Sequence, residues 1–225
     1  TPCSRGLIVS DAVFSMDGDI VDLPELVALG KKYHLLTMID EAHATGVIGK
    51  TGHGTLEHFG STCKPDILMG TLSKALGSEG GYACASKVII DYLKNKARSF
   101  IFATSQAPAA LAAALRAIEV LEAEPQRAQS LQHNVDFFLN ALHAEGVEAY
   151  SPTAIIPVII GDEATALQVA DELLANGVLA PAIRYPTVAK GTARLRIALM
   201  ATHTEVELAQ TAKLIGASIR KYKNN

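Results

Sequence analysis

Chemically reactive side chains are concentrated in two short segments of the chain. Residues 39–43 read Ile-Asp-Glu-Ala-His, which places two carboxylates and an imidazole together. Residues 70–77 read Gly-Thr-Leu-Ser-Lys-Ala-Leu-Gly, which places a lysine and two hydroxyls between glycines. Each segment contains or follows an apolar run of strand length, and open parallel sheets bind their ligands at the carboxyl ends of the strands. We therefore predict that Asp40, His43 and Lys74 lie at one edge of a sheet, around a small ligand.

One interpretation of these segments is a nucleotide site. Residues 40–43 spell the DEAH box of certain ATPases, and residues 49–51 spell Gly-Lys-Thr, the end of a phosphate-binding loop. That loop requires a first glycine at the position that Ala44 occupies in this chain. In such ATPases the loop also precedes the DEAH box, whereas here it follows. We therefore interpret residues 46–54 as a flexible glycine-rich loop and keep a DEAH-type nucleotide-binding protein as a remote alternative.

A second interpretation is a site for pyridoxal 5'-phosphate. This cofactor needs an amine for its covalent attachment, an anion at its ring nitrogen, and hydrogen-bond donors at its phenolic oxygen and its phosphate. A lysine on a loop, an aspartate at a strand end, a nearby histidine and a neighbouring serine or threonine supply all four. The two segments therefore favour this cofactor.

Apolar runs of strand length supply the elements that would position these groups. The runs are continuous rather than alternating, which is typical of strands covered on both faces. They lie at residues 7–10, 35–39, 67–69, 82–85 and 100–103. Between them, Asp22 and Ser86 are predicted to cap helices that run to about Tyr33 and Arg98. Strands that alternate with helices predict an α/β fold with a mostly parallel sheet.

The second half of the chain has a different order of elements. Residues 107–124 are rich in alanine and leucine and predict one long helix that bridges two domains. The remaining elements follow the order αβαββα, which predicts a small α+β domain. They are a helix ending at Gly146, a strand at 154–160, a helix ending near Gly177, strands at 178–183 and 193–199, and a helix from Thr204 with Glu207 completing a capping box.

Four segments resemble the α-oxoamine synthases, a family of fold-type-I enzymes that depend on pyridoxal phosphate. Three of them read Val-Phe-Ser-Met-Asp-Gly-Asp at 13–19, Ile-Asp-Glu-Ala-His-Ala-Thr-Gly at 39–46 and Gly-Thr-Leu-Ser-Lys-Ala-Leu-Gly at 70–77, and the fourth lies within 185–196. They occur in the family's order and separation, and together they span nearly the whole chain. The resemblance implies the decarboxylative condensation of an amino acid with an acyl thioester.

The same resemblance implies how the chain is divided. Residues 1–106 would form the second half of a large, mostly parallel-sheet domain that binds the cofactor. Residues 107–124 would form the bridging helix, and residues 125–225 a small C-terminal α+β domain. Further parts of the family pattern lie upstream, so we expect this chain to lack roughly the first 160 to 170 residues. The family also implies that the full-length protein is a homodimer with its site between subunits.

The matching motifs imply roles for individual residues of this chain. Lys74 resembles the lysine that binds the cofactor covalently and moves protons at the substrate's Cα. Asp40 resembles the acid that pairs with the pyridine nitrogen, and His43 resembles the histidine beside the phenolic oxygen. Ser15 resembles a second polar contact at that oxygen. The resemblance therefore makes Lys74, Asp40 and His43 the predicted catalytic residues.

Contacts to the phosphate and the substrate are implied in the same way. Thr71 resembles a ligand of the cofactor phosphate. Thr104 and Ser105 resemble residues that reach the phosphate in the neighbouring subunit's site. Arg196 resembles the arginine that binds the substrate carboxylate, for which the planar guanidinium fork is suited.

The amino-acid sequence of residues 72–81 and 95–102 most resembles one branch of the family. That branch joins L-alanine to pimeloyl-CoA, or to a pimeloyl carrier protein, in biotin synthesis. Other branches, which use glycine with acetyl-CoA or succinyl-CoA or serine with a long acyl-CoA, stay open as alternatives. A non-catalytic family member is a further alternative, although both Lys74 and Asp40 are present.

Composition narrows the partners and the compartment. With 49% hydrophobic residues, 19% charged residues and a net charge of −3, the chain lacks the basic excess of nucleic-acid-binding proteins. No apolar run approaches the roughly 20 residues of a membrane span. The three cysteines, Cys3, Cys63 and Cys84, lie too far apart for a C-x-x-C metal or redox pair. We expect a cytoplasmic protein without a metal, a nucleic-acid partner or a membrane partner.

Overall fold

Two units make up the chain, and the computed structural model describes them over residues 6–60 and 62–223. The first unit contains the residues up to Phe14 and then Ile20–Ala128. The second contains the short segment Ser15–Asp19 and the residues from Gln129 onward. The sequence patterns do not indicate that Ser15–Asp19 belongs with the second unit.

A four-stranded sheet organises the described part of the first unit. Its strands are β1 (Leu7–Asp11), β2 (Leu36–Asp40), β3 (Ile67–Thr71) and β4 (Gly81–Ala85). They lie side by side in this order, with β1, β2 and β3 parallel and β4 antiparallel to β3. Asp40 is in register with Met69, so β2 and β3 end at the same edge. The predicted α/β fold with a mostly parallel sheet is confirmed.

The strands of this sheet are unequally covered. Ile39 on β2 is fully buried and Ile67 on β3 is 9% exposed, as expected for strands with covered faces. In contrast, Leu7 and Val9 on β1 are 46% and 59% exposed. For β1 the expectation of burial on both faces is therefore wrong in the described part of the chain. A continuous apolar run indicates a preference for burial and does not itself supply the covering element.

Helices flank these strands in the chain. In the described part of the first unit they are α1 (Leu23–Tyr33), α2 (Thr55–Phe59), α3 (Lys87–Lys96), α4 (Arg98–Ile101) and α5 (Pro108–Ala123). The Asp22 carboxylate accepts a hydrogen bond from the Glu25 amide at 3.0 Å, and the Ser86 hydroxyl accepts one from the Ile89 amide at 3.4 Å. Both predicted helix caps are therefore confirmed, and so is a long helix over most of residues 107–124, although all of α5 lies within the first unit and is not shown to bridge two domains. Helix α2 is a short element that the sequence patterns do not indicate.

The strand predicted at 100–103 is wrong. The helix that was predicted to run to about Arg98 ends at Lys96 as α3. After one extended residue, Ala97, the short helix α4 begins at Arg98. Phe100 and Phe102 are 63% and 74% exposed, so this apolar run is not buried in the sheet. A run of four apolar residues does not by itself distinguish a strand from a turn of helix.

The second unit has the predicted element order. Its elements are α6 (Gln126–Ala144), which crosses the boundary between the units, β5 (Ile155–Gly161), α7 (Glu163–Ala175), β6 (Ala182–Ile183), β7 (Ala193–Ala198) and α8 (Glu205–Lys223). The strands lie antiparallel in the order β5, β7, β6. The capping box before α8 is confirmed, because the Glu207 amide donates to the Thr204 hydroxyl at 3.3 Å and the Thr204 amide donates to the Glu207 carboxylate at 2.8 Å. Fully buried core side chains include Phe138, Leu142, Ile156, Leu173, Leu195 and Ile215.

The strand predicted at 178–183 is much shorter than expected. Within residues 178–183, only Ala182 and Ile183 pair with β7. Pro181 lacks the N–H that would extend the ladder, although its carbonyl accepts a hydrogen bond from the Arg196 amide at 3.0 Å. Leu179 is 80% exposed. The apolar run at 178–181 is therefore an irregular segment rather than a strand.

Three further observations concern the expectations drawn from composition. None of the helices within residues 6–60 and 62–223 combines the length and apolarity needed to cross a membrane. Cys63 and Cys84 are free thiols, and Cys3 lies outside the described residues. Over the same ranges, no three histidine, cysteine, aspartate or glutamate residues are grouped so that they could hold a metal ion.

Candidate active site

Lys74 and His43 meet at the edge where β2 and β3 end. Lys74 lies on the loop after β3, and His43 lies in the turn after β2. The Nζ atom of Lys74 is 2.9 Å from Nε2 of His43. A protonated lysine has only donors, so it donates to Nε2 of a neutral imidazole. The structure thus brings together an exposed primary amine and a group that can exchange a proton with it.

Asp40 is the last residue of β2 and precedes His43 in the same turn. Its Oδ1 accepts a hydrogen bond from the Ala42 amide at 2.8 Å. Its main-chain carbonyl accepts a hydrogen bond from the Ala12 amide, also at 2.8 Å. An aspartate that accepts from the amide two residues later stabilises a turn and holds its own carboxylate in place. The half-buried carboxylate is therefore fixed at the strand end.

Two hydroxyls lie together just before Lys74. The Oγ1 atom of Thr71 is 2.7 Å from the Oγ of Ser73, and it donates to the carbonyl of Gly80 at 3.1 Å. The Ser73 amide donates to Thr71 Oγ1 at 3.2 Å. The family motif predicts Thr71 as a phosphate ligand, and the structure places the hydroxyl of Ser73 beside it.

Glu41 is a buried carboxyl that the sequence reasoning did not single out. It is 5% exposed, and both of its oxygens accept from the Thr55 amide, at 3.1 and 3.2 Å. Burial raises its pKa, and the hydrogen bond from the Thr55 amide only partly offsets this effect. A Cβ on Gly54 would lie 2.1 Å from Glu41 Oε2. Glu41 therefore fixes the end of the glycine-rich loop at 46–54 to the turn that follows β2.

Tyr82 on β4 is a second polar residue that was missed. Its hydroxyl is 3.0 Å from the hydroxyl of Thr45, and burial raises its pKa. Tyr82 is in register with Gly70 on β3, where a Cβ would lie 2.5 Å from the tyrosine hydroxyl oxygen. The signal that could have indicated this contact is Gly70, because a glycine inside a strand often marks the close approach of another group.

Thr104 and Ser105 lie between α4 and α5 and are exposed. Within the described residues, no hydrogen bond joins either hydroxyl to Thr71 or Lys74. The structure therefore does not join this pair to the other predicted phosphate ligand in the same chain.

Ser15 and Arg196 are brought together in the second unit. The Nε of Arg196 donates to the main-chain carbonyl of Ser15 at 2.5 Å. Arg196 is half-buried on β7, and burial lowers the pKa of its guanidinium. Guanidinium groups remain charged in proteins at ordinary pH, so Arg196 can still recognise an anion.

Arg194, two residues before Arg196 on the same strand, contacts the same short segment. Its side chain is 9% exposed and forms an ion pair with the carboxylate of Asp17, whose side chain is 56% exposed. Close by, the Thr153 hydroxyl donates to the carbonyl of Gly18 at 2.8 Å. Arg194 and Thr153 were not predicted, and no local pattern in the sequence indicates them.

Comparison with known proteins finds a relationship over nearly the whole chain. The family Aminotransferase class I and II matches residues 3–215. The 8-amino-7-oxononanoate synthase 1 of Bacillus subtilis (strain 168) is 50% identical over 210 residues, which are 93% of this chain and 54% of that protein. The chain therefore spans about half the length of the curated relatives it matches.

Solved structures agree in fold. The serine palmitoyltransferase of Sphingomonas wittichii is 30% identical, with a TM-score of 0.92 over 100% of this chain and 57% of that one. The 8-amino-7-oxononanoate synthase of Francisella tularensis is also 30% identical, with a TM-score of 0.81 over 98% of this chain and 64% of that one. Both similarities extend through the two units of the described fold.

Proposed function

Because the chain belongs to the class I and II aminotransferase family, we propose that it is part of an enzyme that uses pyridoxal phosphate to join an amino acid to an acyl thioester, with loss of the amino acid's carboxylate. The reaction proposed is that of 8-amino-7-oxononanoate synthase, with L-alanine and pimeloyl-CoA or a pimeloyl carrier protein as substrates. The amino-acid sequence supports this proposal through its 50% identity to the 8-amino-7-oxononanoate synthase 1 of Bacillus subtilis. The observation that carries it in the fold is the contact between Lys74 and His43 at 2.9 Å.

The side chains at the ends of β2 and β3 suit pyridoxal phosphate in their chemistry. They include the amine of Lys74, the carboxylate of Asp40 and the hydroxyls of Thr71 and Ser73, all in the first unit. When bound, the cofactor would supply an electron sink for the bond changes at the amino acid's Cα. The chain's own residues would supply its attachment, its orientation and the movement of protons.

Lys74 is the residue proposed to hold the cofactor covalently and then to move a proton at the substrate's Cα. An amine attacks a carbonyl only when unprotonated, so it needs a partner that can take its proton. His43 supports this role because its Nε2 lies 2.9 Å from the amine. Asp40 would keep a proton on the pyridine nitrogen, and the Ala42 amide at 2.8 Å holds its carboxylate for that role.

The other predicted ligands receive roles by resemblance and by chemistry. Thr71 would donate to the cofactor phosphate, and the hydroxyl of Ser73, 2.7 Å from that of Thr71, would add a second donor. Arg196 is proposed to bind the substrate carboxylate, and Ser15 to contact the phenolic oxygen. These two roles rest on the family motifs rather than on a contact with Lys74.

We further propose that the full-length protein is a cytoplasmic homodimer. Thr104 and Ser105 are exposed, as residues that reach a neighbouring subunit's phosphate must be before assembly. The sparse cysteines, with Cys63 and Cys84 as free thiols, support a reducing compartment.

Covalent capture of the cofactor tests the site directly. The full-length protein is mixed with pyridoxal phosphate, reduced with borohydride and digested, and the modified peptide is identified by mass. We expect modification at Lys74, and its loss in Lys74→Ala. The exposed Lys50→Ala serves as the matched control and should leave the modification at Lys74 unchanged. Modification of a different lysine, or none, would contradict the proposal.

Release of CoA tests the proposed substrates. The full-length enzyme should release CoA from pimeloyl-CoA faster with L-alanine than with glycine or serine. Preference for glycine with acetyl-CoA or succinyl-CoA, or for serine with a long acyl-CoA, would assign the chain to another branch. Cofactor capture without any CoA release from these pairs would favour a non-catalytic member.

A further inference from the structure

Lys74 is carried by a loop, residues 72–80, that connects β3 to β4. The loop closes on itself through main-chain hydrogen bonds. The Leu72 amide donates to the Gly80 carbonyl at 2.9 Å, the Ser78 amide donates to the Leu72 carbonyl at 2.7 Å, and the Gly77 amide donates to the Lys74 carbonyl at 2.9 Å. These bonds determine the shape of the loop, but they do not hold it against the rest of the first unit.

Side-chain hydrogen bonds connect this loop to the start of helix α5. The Nε2 of Gln106, two residues before α5, donates to the carbonyl of Glu79 at 3.0 Å. The hydroxyl of Ser78 donates to the carbonyl of Ala110, in the first turn of α5, at 2.5 Å. Both bonds join residues that are about thirty positions apart, with separations of 27 and 32.

Apolar packing also connects the loop to α5. Leu72 and Leu76 are 9% and 6% exposed and form a buried cluster with Ala114 of α5. The loop therefore contacts α5 and the residues just before it through apolar side chains at Leu72 and Leu76 and through hydrogen bonds at Ser78 and Glu79. Lys74 lies between the two buried leucines and is exposed.

Gly80 provides an independent sign that the loop is shaped around Gln106. Its φ is +108°, a conformation that side-chain-bearing residues rarely adopt, and a Cβ at this position would lie 1.4 Å from Nε2 of Gln106. The carboxamide thus occupies the space that any other residue at position 80 would fill. Thr71, a proposed phosphate ligand, also donates to the Gly80 carbonyl at 3.1 Å.

We propose that Gln106 is a positioning residue for Lys74. Its carboxamide holds the end of the loop at Glu79, and Ser78 assists it by holding Ala110. The inference rests on the proposed function, since the position of Lys74 matters only if its amine acts on a ligand. A misplacement of about 1 Å at a reacting group can lower the rate on the order of 100-fold. Hydrogen bonds that hold the loop in place therefore favour catalysis by keeping the Lys74 amine in position.

Hydrogen exchange on the cofactor-free protein tests the structural part of this proposal. In Gln106→Leu, which keeps the volume and removes the donor, the amides of residues 72–80 should exchange up to about tenfold faster than in the unchanged protein. The matched control is Gln132→Leu, which removes an exposed hydrogen bond to Asp136 on α6 and should leave loop exchange unchanged. Equal exchange of residues 72–80 in Gln106→Leu and the unchanged protein would overturn the proposal.

A carboxyl in place of the carboxamide gives a second, sharper readout. In Gln106→Glu the new group repels the Glu79 carbonyl when ionised and can donate to it only when protonated. Loop protection, corrected for intrinsic exchange rates, should therefore return as the pH falls below about 4 to 5. Protection that does not depend on pH in this variant would contradict a role for the donated hydrogen bond.

Kinetics of the full-length holoenzyme separate this proposal from the proposed function. Gln106→Leu should lower kcat about tenfold with little change in KM, while borohydride still fixes the cofactor on Lys74. Ser78→Ala should act in the same direction by a smaller factor, and it serves if Gln106→Leu fails to fold. If the unchanged protein captures no cofactor on Lys74, the proposed function fails while the exchange results stand. If capture is normal and kcat is unchanged in both variants, the positioning role fails alone.

Discussion

The two units hold their polar site residues in different ways. In the first unit, Lys74 and His43 lie on loops after β3 and β2, and they meet through one contact at 2.9 Å. In the second unit, Arg194 and Arg196 lie on strand β7 and reach the segment Ser15–Asp19 across 177 and 181 positions of the chain. A residue in the middle of a sheet is held by the ladders on both sides, whereas a loop residue depends on a few bonds. The ion pair of Arg194 in the second unit therefore contributes to its stability, whereas the exposed amine of Lys74 is available for chemistry.

Gly18→Ala should show the largest loss of stability. Gly18 has a φ of +75°, and a Cβ there would lie 2.1 Å from the carbonyl oxygen of Ile155. We expect the free energy of unfolding, measured in urea, to fall by about 3 kcal/mol. Gly177→Ala is the matched control, because Gly177 has a φ of +83° with nothing within 4 Å of a Cβ and should cost about 1 kcal/mol. Equal losses in the two variants would contradict this prediction, because they would mean that the segment Ser15–Asp19 shifts away from Ile155 at little cost in free energy.

Asp17→Ala should cost less, about 2 kcal/mol, by leaving the guanidinium of Arg194 without its anion. The guanidinium side chain is 9% exposed, but the carboxylate is 56% exposed, so solvent screening keeps the loss below that of a fully buried pair. The control is Glu119→Ala, which removes the exposed pair with Arg116 and should change unfolding by less than about 0.5 kcal/mol. A loss in Asp17→Ala as small as in the control would show that the ion pair between Asp17 and Arg194 does not stabilise the second unit.

Glu41→Gln should have a smaller effect of the opposite sign. Burial raises the pKa of Glu41 above 4.5, so the folded state binds its proton more tightly than the unfolded state. The stability that this proton contributes is fully present below pH 4.5 and is lost as the pH rises through the folded pKa. Glutamine keeps an acceptor for the Thr55 amide without a charge, so the variant should gain on the unchanged protein as the pH is raised to 7. Urea unfolding across this range measures the gain, and a difference that does not vary with pH would contradict it.

Lys74→Ala should have the smallest effect on stability. Lys74 is exposed, and its contact to His43 is one hydrogen bond at the surface, so unfolding should change by less than about 0.5 kcal/mol. The same substitution should abolish cofactor capture, which separates the chemical role of the loop from any structural one. Thermal melting of the cofactor-free variant measures this, and a loss of several kcal/mol would show that Lys74 supports the fold.

Sequence patterns predicted the fold well where the signal lies within a few residues. The Asp22 and Ser86 caps, the capping box at Thr204 and the helix at α5 were predicted because each depends on neighbouring side chains. The errors at 100–103 and 178–183 have the opposite origin. Both are short apolar runs, whose burial depends on whether another element covers or pairs with them.

For the candidate site, the sequence by itself determined which reactive side chains exist, and that Asp40 ends one strand and Lys74 follows another, since the apolar runs of these strands are local features. Only the tertiary structure decided which groups meet and which are taken out of water. The burial of Glu41 against Thr55, the contact of Gln106 with Glu79 and the pairing of Asp17 with Arg194 join positions 14, 27 and 177 residues apart. Such contacts arise because the fold brings distant segments together and removes water between them, and no pattern of a few residues specifies that.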